Sequence, residues 1–384
     1  MHLEWLVFPA WACFAASVAG LLYLAGSAFS VRILVNRPRL ERVATPLTLL
    51  KPLKGADAQL YENLRSFCRQ DYSPFQIVFG VADPDDPAVA VVRRVTAEFP
   101  ERDIALVVGG AARAPNRKVA NLINMLPAAR HELLVISDSD MRVTPDYLAT
   151  IAPLLVAPGV GLVTCLYRGM PAGAGLWSRL ACMHVNHGFL PQAAVGEMLQ
   201  AGDGAFGATL ALSRATLEAI GGLATIADRL ADDHALGSAV RRLGRAVKLA
   251  PVIVDNVIFE PDLAALFRHE LRWARTVRMV APAGYAGSVI THPLVLAFLS
   301  WLLHPSAWTF YGLIAAFLVR AVTIWLDDGA LRLERTPLHL IPLRDGLSFG
   351  VFVASFFARS VAWRDRHYRI ASGGRLTLDG DESA

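Results

Sequence analysis

The sequence begins with an apolar stretch that limits what the chain can fold into. No charged residue occurs between Trp5 and Val31, a run of 27 residues. At about 1.5 Å rise per residue, a helix of this length crosses a hydrocarbon layer about 30 Å thick. A cleaved signal peptide is the alternative, but it would have basic residues before its apolar core, whereas here they follow it, from Arg32 to Arg42. The positive-inside rule therefore predicts a transmembrane anchor followed by a cytoplasmic domain.

Two further apolar stretches lie nearer the C-terminus. One runs without a charge from Met279 to Val319 and is interrupted at 304–306, so it suits two helices, the first of which could be re-entrant at 291–293. The other, Gly346 to Ala358, is short for a span, and an interfacial or re-entrant segment fits it equally well. The predicted divisions are an anchor at 1–31, a cytoplasmic domain at 32–278, transmembrane or re-entrant segments at 279–363 and a polar tail at 364–384.

Cysteine content and net charge exclude several classes of protein. The four cysteines show no C-x-x-C spacing, which favours a reducing compartment and argues against a structural zinc site. The net charge of +4 is modest, and the basic residues crowd beside the apolar stretches. Anionic lipid headgroups explain this pattern better than nucleic acid does, so a lipid bilayer is the expected partner and nucleic acid is not.

The middle of the chain alternates short apolar runs with helical patterns. Such alternation predicts an α/β domain in which a mostly parallel sheet carries helices on both faces. The predicted strands are Thr45–Leu53, Phe75–Asp83, Asp103–Val108 and Leu133–Ser137, and the predicted helices are Ala56–Gln70, Ala88–Glu98 and Asn116–Met125.

Two of the predicted strands end in acidic residues. Asp83 ends the second strand, and Asp138 and Asp140 follow the fourth in the sequence LLVISDSD. Ligands of such sheets bind at the carboxyl ends of the strands. Because residues two apart in an extended chain point to the same side, Asp138 and Asp140 could together bind a divalent cation. The alternative is a polar turn that closes the strand.

Three later motifs each have a structural and a functional interpretation. LADDHAL opens a predicted helix, where Asp232 or Asp233 could simply be the N-cap. The segment 267–276 places three arginines on one helix face, which also suits a juxtamembrane helix that touches headgroups. GDGAFG at 202–207 matches G-x-G-x-x-G, but a strand rather than a helix follows it. A glycine-rich loop beside an acceptor pocket is therefore favoured over a dinucleotide site.

Taken in order, these motifs resemble the ceramide-glucosyltransferase-like family of membrane-bound GT-A glycosyltransferases, over nearly the whole chain. The family has an acid after an early strand, a D-x-D-like motif, a later acid that acts as base, and (Q/R)-x-x-R-W before the membrane segments. This resemblance implies a GT-A domain, Rossmann-like and nucleotide-sugar-binding, with one N-terminal transmembrane helix and C-terminal membrane helices. The stretch NRKVANLINML at 116–126 is also similar to the family's sequence.

The resemblance implies a role for each matching residue. Asp233 would be the catalytic base, and Asp138 and Asp140 would hold Mg or Mn; the substrate-binding residues would be Asp83, Lys118, Asn121, His269, Arg272 and Trp273. Asp83 would bind the uridine and Arg272 the diphosphate, to which its fork of donors is suited. His269 departs from the Gln or Arg of the motif, although histidine can still donate a hydrogen bond. A single base without a protein nucleophile implies inversion at the anomeric carbon.

The substrates implied by the resemblance are a UDP-sugar donor and a membrane lipid acceptor. The segments DSDMRV, TCLYRG and GATLALSRATLEAIGG look most like the bacterial hopanoid-biosynthesis branch. That likeness implies transfer of N-acetylglucosamine to bacteriohopanetetrol by a multi-pass protein of the bacterial inner membrane. Transfer of glucose to ceramide is the alternative. A processive polysaccharide synthase and a non-catalytic membrane scaffold are the remaining hypotheses.

Overall fold

The computed structural model describes residues 4–57, 59–200 and 204–357, and the backbone of 360–363, 366–371 and 375–378. The chain forms two compact units. The α/β unit contains 37–173, 202–259 and 366–384. The helical unit contains 1–36, 174–201 and 260–365.

The elements are numbered in chain order. The strands are β1 (Leu47–Leu53), β2 (Phe75–Val81), β3 (Asp103–Val108), β4 (Leu133–Ile136), β5 (Met141–Arg142), β6 (Val160–Thr164), β7 (Tyr167–Pro171), β8 (Leu210–Ser213), β9 (Ala246–Leu249), β10 (Val254–Ile258), β11 (Ser360–Trp363), β12 (Arg366–Ala371) and β13 (Arg375–Leu378). The helices are α1 (Val7–Val35), α2 (Leu60–Cys68), α3 (Ala88–Glu98), α4 (Arg117–Met125), α5 (Tyr147–Leu155), α6 (Leu176–His184), α7 (Leu190–Met198), α8 (Arg214–Ala219), α9 (Asp232–Arg242), α10 (Leu263–Val280), α11 (Pro282–Gly287), α12 (Pro293–Leu303), α13 (Ala307–Ala330) and α14 (Leu340–Ala354).

A seven-stranded sheet organises the α/β unit, in the order β3-β2-β1-β4-β8-β6-β9. The half formed by β3, β2, β1 and β4 is parallel, and β8 runs antiparallel to both of its neighbours. Both faces are buried: Leu49 packs into one apolar cluster with α2, α3 and α5, and Leu50 packs into another with α4, α8 and α9. A second sheet has the order β5-β10-β7.

The structure confirms the predicted elements of the parallel half. Helix Ala88–Glu98 and strand Asp103–Val108 have the predicted bounds, and the other strands and helices differ by a few residues at their ends. The second strand ends at Val81, so Asp83 lies two residues beyond it rather than at its last position. Helix α4 begins after Asn116, whose side chain accepts hydrogen bonds from the backbone amides of Lys118 and Val119.

The helical unit contains three helices long and apolar enough to cross a membrane, among the residues described. They are Val7–Val35, Ala307–Ala330 and Leu340–Phe357. The pair 282–291 and 293–303 is bent by 67°, which fits either a broken span or the re-entrant segment expected at 291–293. The short third stretch is part of a helix of spanning length; its last predicted residue, Ala358, lies outside the described residues.

The C-terminal helices include charged residues and continue beyond the ends of the predicted apolar stretches. Helix α13 begins after Ser306, which forms a capping box with Thr309, and continues past Val319. The guanidinium of Arg320, within this helix, donates to Asp345 of α14 at 3.1 Å. Both side chains are buried, so an ion pair allows these charges to lie inside the unit.

The two compact units divide the chain differently from the predicted domains. Residues 174–201 and 260–278 were expected in the catalytic domain, but they pack with the apolar helices. This includes α10, which carries His269, Arg272 and Trp273. The expected polar tail contains β12 and β13, which pair antiparallel.

Candidate active site

The acid that follows β4 lies at the carboxyl edge of the main sheet. All four residues of β4 are buried, and the amide of Ser137 still bonds to β1 through the carbonyl of Leu50. Asp138 comes next, and the backbone then turns, with the amide of Met141 donating to the carbonyl of Asp138 at 3.3 Å. The extended conformation that would place Asp138 and Asp140 on one side therefore does not continue. The predicted polar turn is present together with the acids.

A lysine joins Asp138 to a second acid. The Nζ atom of Lys118 lies 2.7 Å from Oδ1 of Asp138 and 3.0 Å from Oδ2 of Asp232. Burial alone would lower the pKa of Lys118, but these two carboxylates outweigh it and raise that pKa above its ordinary value. Burial raises the pKa of Asp138, and Lys118 opposes the rise. The structure thus brings Lys118 and Asp138 together and adds Asp232, which the sequence offered only as a possible N-cap.

Asp233 faces the glycine-rich loop rather than capping its helix. The N-cap of α9 is Ala231, so the N-cap interpretation of Asp232 and Asp233 is wrong. Oδ2 of Asp233 accepts from the backbone amide of Gly207 at 2.9 Å. Burial raises the pKa of Asp233 to about 6, and the charge of Asp232 adds to the rise. Asp233 is therefore suited to accept a proton near neutral pH.

Gly207 lies against three of the four charged groups of this acidic cluster, which consists of Asp138, Lys118, Asp232 and Asp233. A Cβ atom at this position would be 3.0 Å from Oδ2 of Asp138, 3.4 Å from Oδ2 of Asp233 and 3.6 Å from Nζ of Lys118. Any side chain here would occupy space between the acids. The loop that contains Gly207 does border the acidic cluster; Gly202 and Asp203, which begin its motif, lie outside the described residues.

A lysine that sequence reasoning missed lies beneath the cluster. Lys51 of β1 is fully buried, and its Nζ donates to the backbone carbonyl of Asp138 at 2.6 Å. The same atom lies 3.7 Å from the ring centre of Phe67. Burial lowers the pKa of Lys51 to about 7, although Asp140 and Asp138 oppose the shift. A lone lysine inside the apolar run TLLKPL was the signal that could have found it.

Two predicted substrate-binding residues contact the backbone around β2. Asn121 donates to the carbonyl of Gly80 at 2.8 Å, and its own Oδ1 is buried without a hydrogen-bond partner. Asp83 is exposed, and its Oδ1 accepts from the amide of Asp85 at 3.0 Å. Asp86 shapes the same turn by accepting from the amides of Gly55 and Ala88. Asp83 therefore lies in an exposed turn, and Asn121 supports the strand before it.

The carboxylate of Asp140 has one oxygen that is suited to bind a divalent cation. Oδ2 of Asp140 accepts from Asn256 of β10 at 2.9 Å, whereas Oδ1 is buried and has no hydrogen-bond partner. Among the described residues, no group of three or more His, Cys, Asp or Glu is arranged to hold a metal ion. Magnesium is commonly held by one or two carboxylates together with phosphates of the substrate. The Asp140 carboxylate, with its unpaired Oδ1, is of the kind that this mode uses, and Asn256 orients it.

The remaining predicted residues lie on α10 in the helical unit. Nδ1 of His269 lies 2.6 Å from Oε1 of Glu260, and the His269 and Trp273 ring centres are 4.6 Å apart, edge to face. The carbonyl of Arg272 accepts from Thr276 one turn later. The intervening Glu270 forms a buried ion pair with Arg344 of α14.

Comparisons with known proteins define the fold and the family. The mannosyltransferase PcManGT from Pyrobaculum calidifontis, solved with GDP-Man and Mn2+, superposes with a TM-score of 0.55 at 19% identity, over 92% of this chain and 99% of that one. The mixed α/β fold is therefore the GT-A-like fold of glycosyltransferases, as the sequence predicted. The sequence profile of glycosyl transferase family 21 matches residues 12–376. The chain belongs to this family and is a glycosyltransferase.

Curated relatives are similar over different shares of the chain. Ceramide glucosyltransferase 1 of Caenorhabditis elegans is 22% identical over 375 residues, 95% of this chain and 80% of the relative. Ceramide glucosyltransferase of Komagataella phaffii is 31% identical over 116 residues, 29% of this chain and 22% of the relative. The predicted resemblance to the ceramide-glucosyltransferase-like family is confirmed.

Proposed function

We propose that the chain is an inverting glycosyltransferase that moves a sugar from a UDP-sugar to a hydroxyl group of a membrane lipid. The observation that supports it most is the grouping of Asp138, Lys118, Asp232 and Asp233 at the carboxyl edge of the sheet. This group supplies a base with a pKa near neutrality beside carboxylates that suit a cation. The apolar helices of the same chain are long enough to hold it in a bilayer, where a lipid acceptor would be found.

The proposed reaction is a single displacement. The acceptor oxygen forms a bond to the anomeric carbon as the bond from that carbon to the diphosphate oxygen breaks, and the electron pair leaves with UDP. Asp233 accepts the hydroxyl proton. Bound Mg or Mn, held by Asp138 and Asp140, would neutralise the charge that grows on the diphosphate. An α-linked donor gives a β-linked product because only one displacement occurs.

Other chain residues bind and orient the substrates in this proposal. Asp83 binds the uridine from its exposed turn, and Arg272 donates to diphosphate oxygens. Lys118 balances the charge of the acids. Asn121 holds the backbone at the end of β2, and Trp273 packs against the sugar or the acceptor.

Two lipid acceptors are candidates, each supported by a different observation. The names of the curated relatives support ceramide with UDP-glucose. Likeness of short motifs to the hopanoid branch supports bacteriohopanetetrol with UDP-GlcNAc. Ceramide is favoured, because the similarity to ceramide glucosyltransferase 1 extends over most of the chain. In either case the arginines after α1 support a cytoplasmic position for the α/β unit at a bacterial inner membrane.

Purified protein in lipid nanodiscs tests this proposal. Each combination of UDP-glucose or UDP-GlcNAc with ceramide or bacteriohopanetetrol is assayed for UDP release and for lipid product by mass spectrometry. We expect one sugar per lipid and a divalent-cation requirement, whereas long polymers would indicate a synthase. Asp233→Asn should lower the rate by about 10²- to 10⁴-fold, and Glu218→Gln, an exposed acid on α8, should leave it unchanged. No transfer with any combination, or full activity of Asp233→Asn, would overturn the proposal.

A further inference from the structure

The carboxylate of Asp233 is oriented by two backbone amides. Its Oδ1 accepts from the amide of His234 at 2.7 Å, and its Oδ2 accepts from the amide of Gly207 at 2.9 Å. The first amide belongs to the next residue of α9 and moves with that helix, whereas the second belongs to the glycine-rich loop. The orientation of the proposed base therefore depends on where the loop holds Gly207.

Gly207 is part of a tight turn that leads into β8. The backbone amide of Thr209 donates to the carbonyl of Phe206 at 3.1 Å, so Gly207 and Ala208 are the central residues of a four-residue turn. Both central residues are buried. The hydroxyl of Thr209 shares a hydrogen bond of 2.8 Å with the hydroxyl of Tyr147 at the start of α5. The last residue of the turn is thus held by a helix of the same unit.

Thr164, the last residue of β6, holds the first residue of this turn. Its Oγ1 accepts from the backbone amide of Phe206 at 2.9 Å and donates to the backbone carbonyl of the same residue at 3.1 Å. One hydroxyl thus bonds to both backbone groups of one residue, as a residue of a paired strand does. Thr164 is 3% exposed, and its own carbonyl accepts from the amide of Ala250 at 2.9 Å. The hydroxyl is therefore held in place by the main sheet.

The glycine-rich loop also packs directly against α9. A Cβ atom at Gly237 of this helix would lie 2.6 Å from the carbonyl carbon of Gly204. A Cβ atom at Gly204 would in turn lie 2.5 Å from Cδ2 of His234. Because the loop and the helix leave no space for a side chain between them, a displacement of the loop would be transmitted to the start of α9, where Asp233 lies.

We infer that Thr164 is a positioning residue for the proposed base. Its hydroxyl fixes the turn so that the amide of Gly207 directs the Asp233 carboxylate toward the acceptor hydroxyl. This inference rests on the proposed function. A carboxylate has about four acceptor positions, so Asp233 can receive the acceptor's proton while both amides stay bonded to it. Thr164 begins the segment TCLYRG and Gly207 ends the segment GDGAFG, so the two segments act together through this turn.

Thr164→Val tests this inference because it removes the hydroxyl and keeps the β-branched shape that suits a strand. We expect kcat to fall about tenfold, because catalytic groups must be held closely, while the KM for the UDP-sugar stays unchanged. Thr164→Ser keeps the hydroxyl and should retain most of the activity. In the Asp233→Asn background, Thr164→Val should have little further effect, because no base remains to be oriented.

The controls separate this inference from the function on which it rests. Thr150→Val is the matched control, since Thr150 is also buried and its hydroxyl donates to the carbonyl of Asp146 within α5; its kcat should not change. If Thr164→Val does not fold, Thr164→Cys replaces it, because a thiol is only a weak donor and acceptor, and its kcat should fall.

Three results would overturn the inference alone. They are an unchanged kcat in the folded Thr164 variant, a Thr164→Ser variant as impaired as Thr164→Val, and an equal fall in kcat when Thr164→Val is added to Asp233→Asn. No sugar transfer by the unmodified protein, or full activity of Asp233→Asn, would instead overturn the proposed function.

Discussion

The ammonium group of Lys118 lies 2.7 Å from a carboxylate oxygen of Asp138, which joins the start of α4 to the end of β4. The same group lies 3.0 Å from Asp232 at the start of α9. Three elements that are distant in sequence therefore meet at one positive charge. Because Asp233 is adjacent to Asp232, this lysine also influences the proposed base.

The rate of sugar transfer should fall as the pH decreases through about 6. Burial raises the pKa of Asp233 to about 6, and a base must be deprotonated to accept the acceptor's proton. Activity is therefore present above this value and lost below it. We expect kcat against pH to show an acidic limb with a midpoint near 6. A midpoint near 4, the ordinary value for aspartate, would contradict the assignment.

Replacement of Lys118 by glutamine should move that limb to higher pH. The charge of Lys118 lowers the pKa of Asp233, so its removal raises this pKa further above the ordinary value. The measurement is kcat of Lys118→Gln as a function of pH, between about pH 5 and 9. The control is Arg130→Gln, at an exposed site. An unchanged limb in Lys118→Gln would show that the lysine does not act on the base.

Gly207→Ala should impair transfer while the protein still folds. Its methyl group would lie 3.0 Å from Oδ2 of Asp138, so the loop or the acid must shift by a few tenths of an ångström. The reaction rate falls steeply when catalytic groups are displaced, and we expect kcat to decrease roughly tenfold. Gly173→Ala is the matched control, because its methyl group would contact nothing within 4 Å. Equal activities of the two variants would contradict this explanation.

The acids and the parallel half of the sheet could be predicted because they depend on local pattern. Apolar runs ending in acid predicted β4 and Asp138, and the order of the motifs supported Asp233. The contacts of Lys51 and Asn256 could not be predicted, because they depend on which strand lies beside which. The sequence left open whether the chain turns after Asp138 for a similar reason, since β5, which follows the turn, pairs with β10 from far along the chain.

The compact units show a second limit of sequence patterns. Residues 174–201 were predicted to belong to the catalytic domain because they follow its strands in the chain. They pack with the apolar helices instead, and the segment includes a π-helix at Val185–Phe189. Its His187 lies 3.2 Å from Asp328 of α13. Long-range polar pairs of this kind leave no periodic signal in the sequence.

Loss of the Asp140 carboxylate should weaken metal binding more than it weakens binding of the UDP-sugar donor. Oδ1 of Asp140 is buried without a hydrogen-bond partner, so it is suited to a cation ligand. We expect chelation to abolish transfer and Mg2+ or Mn2+ to restore it. Asp140→Asn should raise the metal concentration for half-maximal activity about tenfold or more, and Asn256→Ala should have a smaller effect in the same direction. Activity that is unaffected by chelation would contradict the metal assignment.

Loss of one partner of the buried ion pair between Arg344 and Glu270 should strongly destabilise the helical unit. Both side chains are almost completely buried, and two hydrogen bonds of 2.7 Å join them, while Arg344 also donates to the carbonyl of Leu180. Removal of one partner leaves a buried charge uncompensated, which costs about 3–5 kcal/mol of unfolding free energy. Glu270→Leu should therefore lower the unfolding temperature in detergent sharply. Glu270→Leu combined with Arg344→Met removes both charges and should recover much of the loss, because no uncompensated charge remains. If the double variant were less stable than Glu270→Leu, the helices would depend on the ion pair itself rather than on the absence of an isolated charge.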